Sequence, residues 1–143
     1  MALGPLEETL RCVALANFSI PTSTGRVISI GGIGDWEVEV VGVTVIPRAA
    51  VSSGNATFTF QVRNANGSTY GSAVSASASI AGGGNHRVEI VLPNPVKAGV
   101  GRSVEISASN TSGAAVAADV IIWFRVGQLV LPEQRTVVTT AEV

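Results

Sequence analysis

The sequence is poor in charge. Acidic and basic side chains make up 13% of its 143 residues, about half the share found in an ordinary soluble domain (about 25%). A free monomer uses charge to keep its neighbours away, so the deficit has two readings. Either much of the surface is covered by partners, or it is coated with uncharged Ser, Thr and Asn. Lysine is nearly missing: Lys97 is the one lysine among nine basic residues, and the arginines are scattered without a run. There is no basic stripe of the kind that neutralises phosphates, which argues against nucleic acid as a partner. There is no polybasic segment for an anionic membrane either.

Cysteine and histidine are scarce as well. Cys12 stands alone, which excludes an internal disulfide and a multi-cysteine zinc site; its expected role is that of a small buried apolar residue. His86 is the only histidine. A Ser–His–Asp arrangement would have to combine it with Asp35 or Asp119 and a serine, and no G-x-S-x-G elbow is present. The glycine clusters Gly31-Gly32-Ile33-Gly34 and Gly82-Gly83-Gly84 are not followed by the Lys-Ser/Thr pair of a phosphate loop and read as turns. Asp35, Glu37 and Glu39 fall on one face of a strand, which could hold a hard cation. Such a row is more often the solvated side of an amphipathic strand, and that is the reading taken here. No catalytic activity, metal or cofactor is expected.

No stretch of about 20 residues is apolar enough to span a bilayer, and Met1-Ala2-Leu3-Gly4-Pro5 does not read as the start of a secretion signal. Four Asn-x-Ser/Thr triplets begin at Asn17, Asn55, Asn66 and Asn110 and carry little weight without such a signal. Aromatic residues make up 5%. Trp36, Phe58, Phe60 and Phe124 fall on core parity, which leaves only Tyr70 and Trp123 for a sugar-binding surface. A carbohydrate-binding or adhesin-type sandwich is the alternative to the assembly role argued below.

What the chain does have is alternation with a period of two, punctuated by turn residues. Leu10, Cys12, Ala14, Ala16, Phe18 and Ile20 share one parity, and Pro21-Thr22-Ser23-Thr24-Gly25 ends the run. A short strand around Val27 to Ile30 follows, then Trp36, Val38 and Val40 against Glu37 and Glu39. At Val40-Val41-Gly42 the parity flips to Val41, Val43 and Val45, the signature of a β-bulge beside a glycine. Phe58, Phe60 and Val62 form the fourth run, followed by Asn66-Gly67, a strong hairpin signal. The fifth is Val74, Ala76, Ala78 and Ile80. The sixth is Val88, Ile90 and Leu92, stopped by Pro93-Asn94-Pro95. Val104, Ile106 and Ala108 form the seventh, and Val116, Ala118, Val120, Ile122, Phe124 and Val126 the eighth. Eight short strands with almost no helix signal predict an all-β fold: a single antiparallel β-sandwich of the eight-stranded jelly-roll type, two sheets about 10 Å apart. An immunoglobulin-like sandwich is the other candidate, without the paired cysteines of antibody domains.

The domain is expected over residues 10–126, flanked by an N-terminal arm, 1–9, and a C-terminal arm, 127–143. The arms carry Leu3 and Leu6, then Leu129, Val130, Leu131, Val137 and Val138. Free tails are usually polar, so apolar, β-prone tails predict pairing with a neighbouring chain or docking over a sheet edge of their own domain. The eighth strand also carries Ile121 and Trp123 on the parity opposite its core residues. A strand apolar on both faces of an antiparallel sheet needs a cover. These nine side chains are the candidate protein interface.

The run Trp36-Glu37-Val38-Glu39-Val40-Val41-Gly42-Val43-Thr44-Val45, then Phe58-Thr59-Phe60-Gln61-Val62 with its Asn-Gly turn, and the close Gly113-Ala114-Ala115-Val116-Ala117-Ala118-Asp119-Val120-Ile121-Ile122-Trp123-Phe124 together resemble small jelly-roll virion proteins of tailed bacteriophages. The resemblance covers roughly residues 10–126. It implies a capsid decoration (cement) protein or a related head or tail component. Such a protein would be located on the virion, homo-oligomeric and often trimeric, with the major capsid protein as its partner.

Overall fold

The computed structural model describes residues 10–31 and 36–128. Eight strands follow one another: β1 (Leu10–Ile20), β2 (Gly25–Gly31), β3 (Trp36–Pro47), β4 (Asn55–Arg63), β5 (Val74–Ser79), β6 (Val88–Ala98), β7 (Ser103–Asn110) and β8 (Val116–Gln128). They form two four-stranded antiparallel sheets, the first in the order β1-β8-β3-β6 and the second in the order β2-β7-β4-β5. The pairings β1–β8, β2–β7, β3–β6 and β4–β5 are nested one inside another. This is a hairpin rolled up on itself, the jelly-roll sandwich predicted from the strand count.

The alternation explains why the two sheets stack. Val38, Val40, Val43 and Val45 of β3 and Val120, Ile122 and Phe124 of β8 point inward from the first sheet. They meet Phe58, Phe60, Val104 and Ile106 of the second, all of them buried. Most residues between them are polar and face out, Ile121 and Trp123 of β8 being exceptions, and among the described residues no helix covers either face.

Three local devices shape the first sheet, and only one is visible in the residue pattern. The parity flip at Gly42 is real: register shifts between Val40 and Gly42 on both sides of β3. A Cβ on Gly42 would sit 2.8 Å from the Ile90 carbonyl oxygen, so glycine is needed there for close approach of β6. A second bulge lies in β1, where the register shifts between Leu15 and Phe18 and Asn17 adopts a positive φ of 53°. It corrects the single parity read for this strand. Phe18 and Ile20 face the core, but upstream of the bulge the inward set is Val13 and Leu15, and Leu10, Cys12 and Ala14 face out.

The third device concerns β6, which does not stop at Pro93-Asn94-Pro95 as expected but continues to Ala98. Val91 pairs with Gly42 and Val96 with Val40, so the residues between loop out opposite Val41. Proline lacks a ladder donor and is tolerated because β6 is an edge strand with a wide bulge.

One buried polar side chain ties two connections together. Asn110, 2% exposed, donates through its amide to the carbonyls of Ile20 (2.7 Å) and Pro21 (3.2 Å). Its Oδ1 accepts from the Ser112 backbone N–H (2.8 Å) and hydroxyl (2.6 Å). The β1–β2 turn and the β7–β8 turn thereby share one residue. Asn110→Ala removes these side-chain bonds, though the Pro21 carbonyl keeps the Asn110 backbone N–H and the Ser112 hydroxyl keeps the Ala114 carbonyl, and it is expected to cost about 1–3 kcal/mol. Gly42→Ala forces β6 to shift and is expected to cost about 1–3 kcal/mol through overpacking. Urea denaturation checks both.

Candidate functional site

The two outer faces of the sandwich differ in chemistry. On the second sheet, Thr57 and Thr59 of β4 stand opposite Ser77 and Ser75 of β5, their hydroxyls 2.7 and 2.9 Å apart. Ser107 and Ser109 of β7 continue the rows. The charges on this face gather at Glu105, which accepts from Arg63 at 2.9 Å and from Arg26 at 3.3 Å. Much of the charge deficit is therefore answered here by hydroxyls, as in the second of the two readings above.

The outer face of the first sheet is different. The register aligns Cys12, Trp123, Gly42 and Val91 in one row across all four strands. Val91 is 74% exposed, and Leu10, at the β1 edge beside this row, is 57% exposed. Ala14, Ile121, Thr44 and Glu89 form the next row. On the other side, Arg125 pairs with Glu39 at 2.9 Å. An apolar band thus runs across the sheet between charged pairs.

Trp123 and Ile121, proposed from sequence as contact residues, are half-buried in the centre of this band. Gly42, opposite Trp123, presents no side chain, and the indole N–H reaches diagonally to donate to Thr44 Oγ1 at 2.9 Å. The Thr44 hydroxyl, fully buried on what is nominally an outer face, donates in turn to Glu89 Oε1. Arg87 donates to the other carboxylate oxygen at 2.9 Å. Part of the cover required by Trp123 therefore comes from its own sheet. The hydrogen bond from Thr44, followed by that from Arg87 and its charge, holds the Glu89 carboxyl below its ordinary pKa despite some desolvation.

The other singled-out residues fall as follows. Leu3, Leu6, Leu129, Val130, Leu131, Val137, Val138 and Asp35 lie outside the described residues. Glu37 is half-buried on β3, and Glu39 is held by Arg125. Cys12 is exposed on the outer row rather than buried, because the β1 bulge reverses its face. Trp36, assigned to the core by parity, is 43% exposed. It stands at the end of β3, on the rim of a cleft of about 600 Å³ between the β1 side of the first sheet and β2 of the second. Arg11, Val13, Ile28, Ile30, Val38, Phe124 and Val126 line this cleft. Periodicity finds the inward face of a strand, but it cannot see where the opposing sheet ends.

Asp119 has structural partners, whereas Nε2 of His86 is buried without one among the described residues. Asp119 accepts the backbone N–H of Asn17 at 2.8 Å and the Arg48 guanidinium at 2.7 Å. It satisfies the donor exposed by the β1 bulge, and the Asn17 hydrogen bond, then Arg48, keeps its pKa low. His86 contacts the Gly83 carbonyl through Nδ1 within its own turn. Among the described residues no group of three or more His, Cys, Asp or Glu is placed to hold a metal ion. Tyr70 has the Arg102 guanidinium 3.7 Å from its ring centroid. Tyr70 is otherwise half exposed, whereas Trp123 is half-buried and held by Thr44.

No family model matches the sequence, and no curated protein does. Solved structures to which this chain is similar include chains of infectious bursal disease virus; for the Gx strain the TM-score is 0.45 at 13% identity, covering 81% of this chain and 33% of that one. Desmodium yellow mottle tymovirus gives 0.38 at 10% identity, with 85% and 89% covered. The disulfide-linked pili of Bacillus endospore appendages give 0.34 at 8% identity, with 85% and 90% covered. The chain spans between a third and two fifths of the length of the first bursal disease virus chains it matches. At these low scores nothing about function passes from these structures to this chain.

Glu89, Glu105 and Asp119 all have carboxyl groups held below their ordinary range, Glu105 chiefly by Arg63. The unfolded chain therefore binds more protons in acid than the folded one. The stability these groups contribute is present above about pH 4–4.5 and is lost as pH falls through the folded values. Thr44→Val should bring the Glu89 titration back toward the ordinary range, read by NMR. Leaving the Trp123 N–H unpaired should cost about 1–3 kcal/mol. An unmoved Glu89 titration would show that the Thr44 hydroxyl does not hold it.

Proposed function

We propose that this chain is a non-enzymatic structural virion protein of the capsid decoration, or cement, type. In this reading it sits on the capsid surface of a bacteriophage, binds the major capsid protein and other copies of itself, as a trimer, and stabilises the shell. The observation that carries the proposal is the apolar row Cys12–Trp123–Gly42–Val91 on the outside of the first sheet. A fully solvated sandwich has no use for such a band, whereas a subunit contact does. The hydroxyl-coated second sheet suits a face left in water. The arms, with Leu3, Leu6, Leu129, Val130, Leu131, Val137 and Val138, would add grip between subunits. Many copies on a shell gain from multivalency, so no single contact has to be strong.

Val91 is the sharpest probe, because its exposure means that a substitution leaves the core intact. Val91→Lys should keep the circular dichroism spectrum and thermal midpoint of the parent while weakening self-association by at least tenfold in light scattering. Undiminished association of a folded Val91→Lys protein would move the contact off this face, and a parent chain that is monomeric at every concentration would remove the assembly reading.

A further inference from the structure

We infer that the free edge of β1, with the apolar cleft beneath it, receives one added β-strand: the segment 129–143 of a second copy of this chain. The inference rests on the assembly reading above and names its means of attachment.

The first support is a comparison of the four sheet edges. An edge strand presents unpaired N–H and C=O groups, and proteins guard such edges with prolines, bulges or short length. β6 carries Pro93 and Pro95 in a wide bulge. β5 is only 6 residues long and packs against β6. β2 is 7 residues long and bulged between Arg26 and Ile28. Among the described residues, β1 offers a run, Leu10 to Leu15, free of proline, glycine and bulge, and unlike β5 it is not packed against the edge strand of the other sheet.

The second support is independent of the first. The sandwich is closed where β5 meets β6, but β1 and β2 barely touch. The cleft left on that side is walled by Val13, Ile28, Ile30, Val38 and Val126. A strand laid along β1 would continue the first sheet by backbone hydrogen bonds and drop alternate side chains into this cleft, as in strand addition generally. Its other side chains would extend the outer row that Cys12 begins.

The occupant follows from the sequence beyond β8. Residues 129–143 contain Leu129-Val130-Leu131 and Val137-Val138-Thr139-Thr140, apolar and β-branched residues suited to a half-buried strand. Extended, the segment reaches about 50 Å, more than twice the run it must cover. To reach this edge of its own domain the segment would have to leave the end of β8, cross the start of β1 and run parallel to it, since β1 and β8 are antiparallel. Parallel pairing is the weaker kind, whereas a neighbour's segment can approach in the antiparallel direction.

Cys12 provides the reporter. Full-length proteins carrying Val130→Cys, Leu131→Cys, Val137→Cys or Val138→Cys are treated with a short bis-maleimide and mapped by mass spectrometry. Chains of two isotopic labels, mixed before treatment, separate inter-chain from intra-chain links. The expected result is an inter-chain link to Cys12 for one member of an adjacent pair and at least fivefold less for the other, because neighbouring residues of a strand face opposite sides. Cys12→Ser should abolish it. Equal linkage of both members, no linkage to Cys12 in any variant, or links confined to single chains would overturn the inference. So would a Cys12–Cys12 link in the parent, which would put β1 of the second copy on this edge. If the links are missing while light scattering still shows oligomers, the arm docking fails and the assembly reading stands. A monomer without links sinks both.

Discussion

The position of β8 between β1 and β3 is the constraint on which the rest of the molecule depends. Its 13 residues pair along one side with the first strand and along the other with the third. Its inner face supplies Ala118, Val120, Ile122 and Phe124 to the core. Without it the first sheet would separate into an isolated β1 and a β3–β6 pair, and the second sheet would have nothing to pack on. The nested pairing has a topological cost. Only β4–β5 joins strands adjacent in sequence, and every other pair closes a longer loop before its contacts form. The two inner faces must therefore be strongly apolar, and they are.

A central strand has no free edge, so its outer side chains are flanked by neighbours on both sides. That is why Ile121 and Trp123 are half-buried before any partner arrives, and why a fully buried threonine can sit on an outer face. The Trp123–Thr44–Glu89–Arg87 chain of hydrogen bonds crosses three strands and holds the indole across the sheet. The band it belongs to stays apolar toward the β1 and β6 edges, at Leu10 and Val91. The second sheet meets water through Ser and Thr instead. The two outer faces thus differ, hydroxyls on one sheet and an apolar band between charged pairs on the other.

The bulges show how much depends on single backbone positions. The bulge at Gly42 was legible because glycine and a parity flip coincide there. The one at Asn17 was not, since the alanines before it hide the flip: Ala14 and Ala16 suit an outer face as well as an inner one. That shift turns Cys12 outward and brings Val13 over the cleft. Asp119, which could have been a catalytic candidate, is spent on the N–H that the bulge exposes. The continuation of β6 through two prolines was hidden for another reason. Proline forbids a ladder hydrogen bond only on a side where one is needed, and which side is free depends on strand order.

Residue pattern alone determined the all-β class, the number of strands, the inward set of β4, β7 and β8 and, Trp36 and Val41 apart, of β3, and the presence of a two-faced last strand. These depend on the period of two, which is a local property of the backbone. Tertiary structure alone decided which strands became edges, where the sheets part to leave the cleft, and that Trp123 would be held by Thr44 while Trp36 reached solvent. Those outcomes depend on what lies across from a residue, and in a rolled-up hairpin that neighbour is usually far away in sequence.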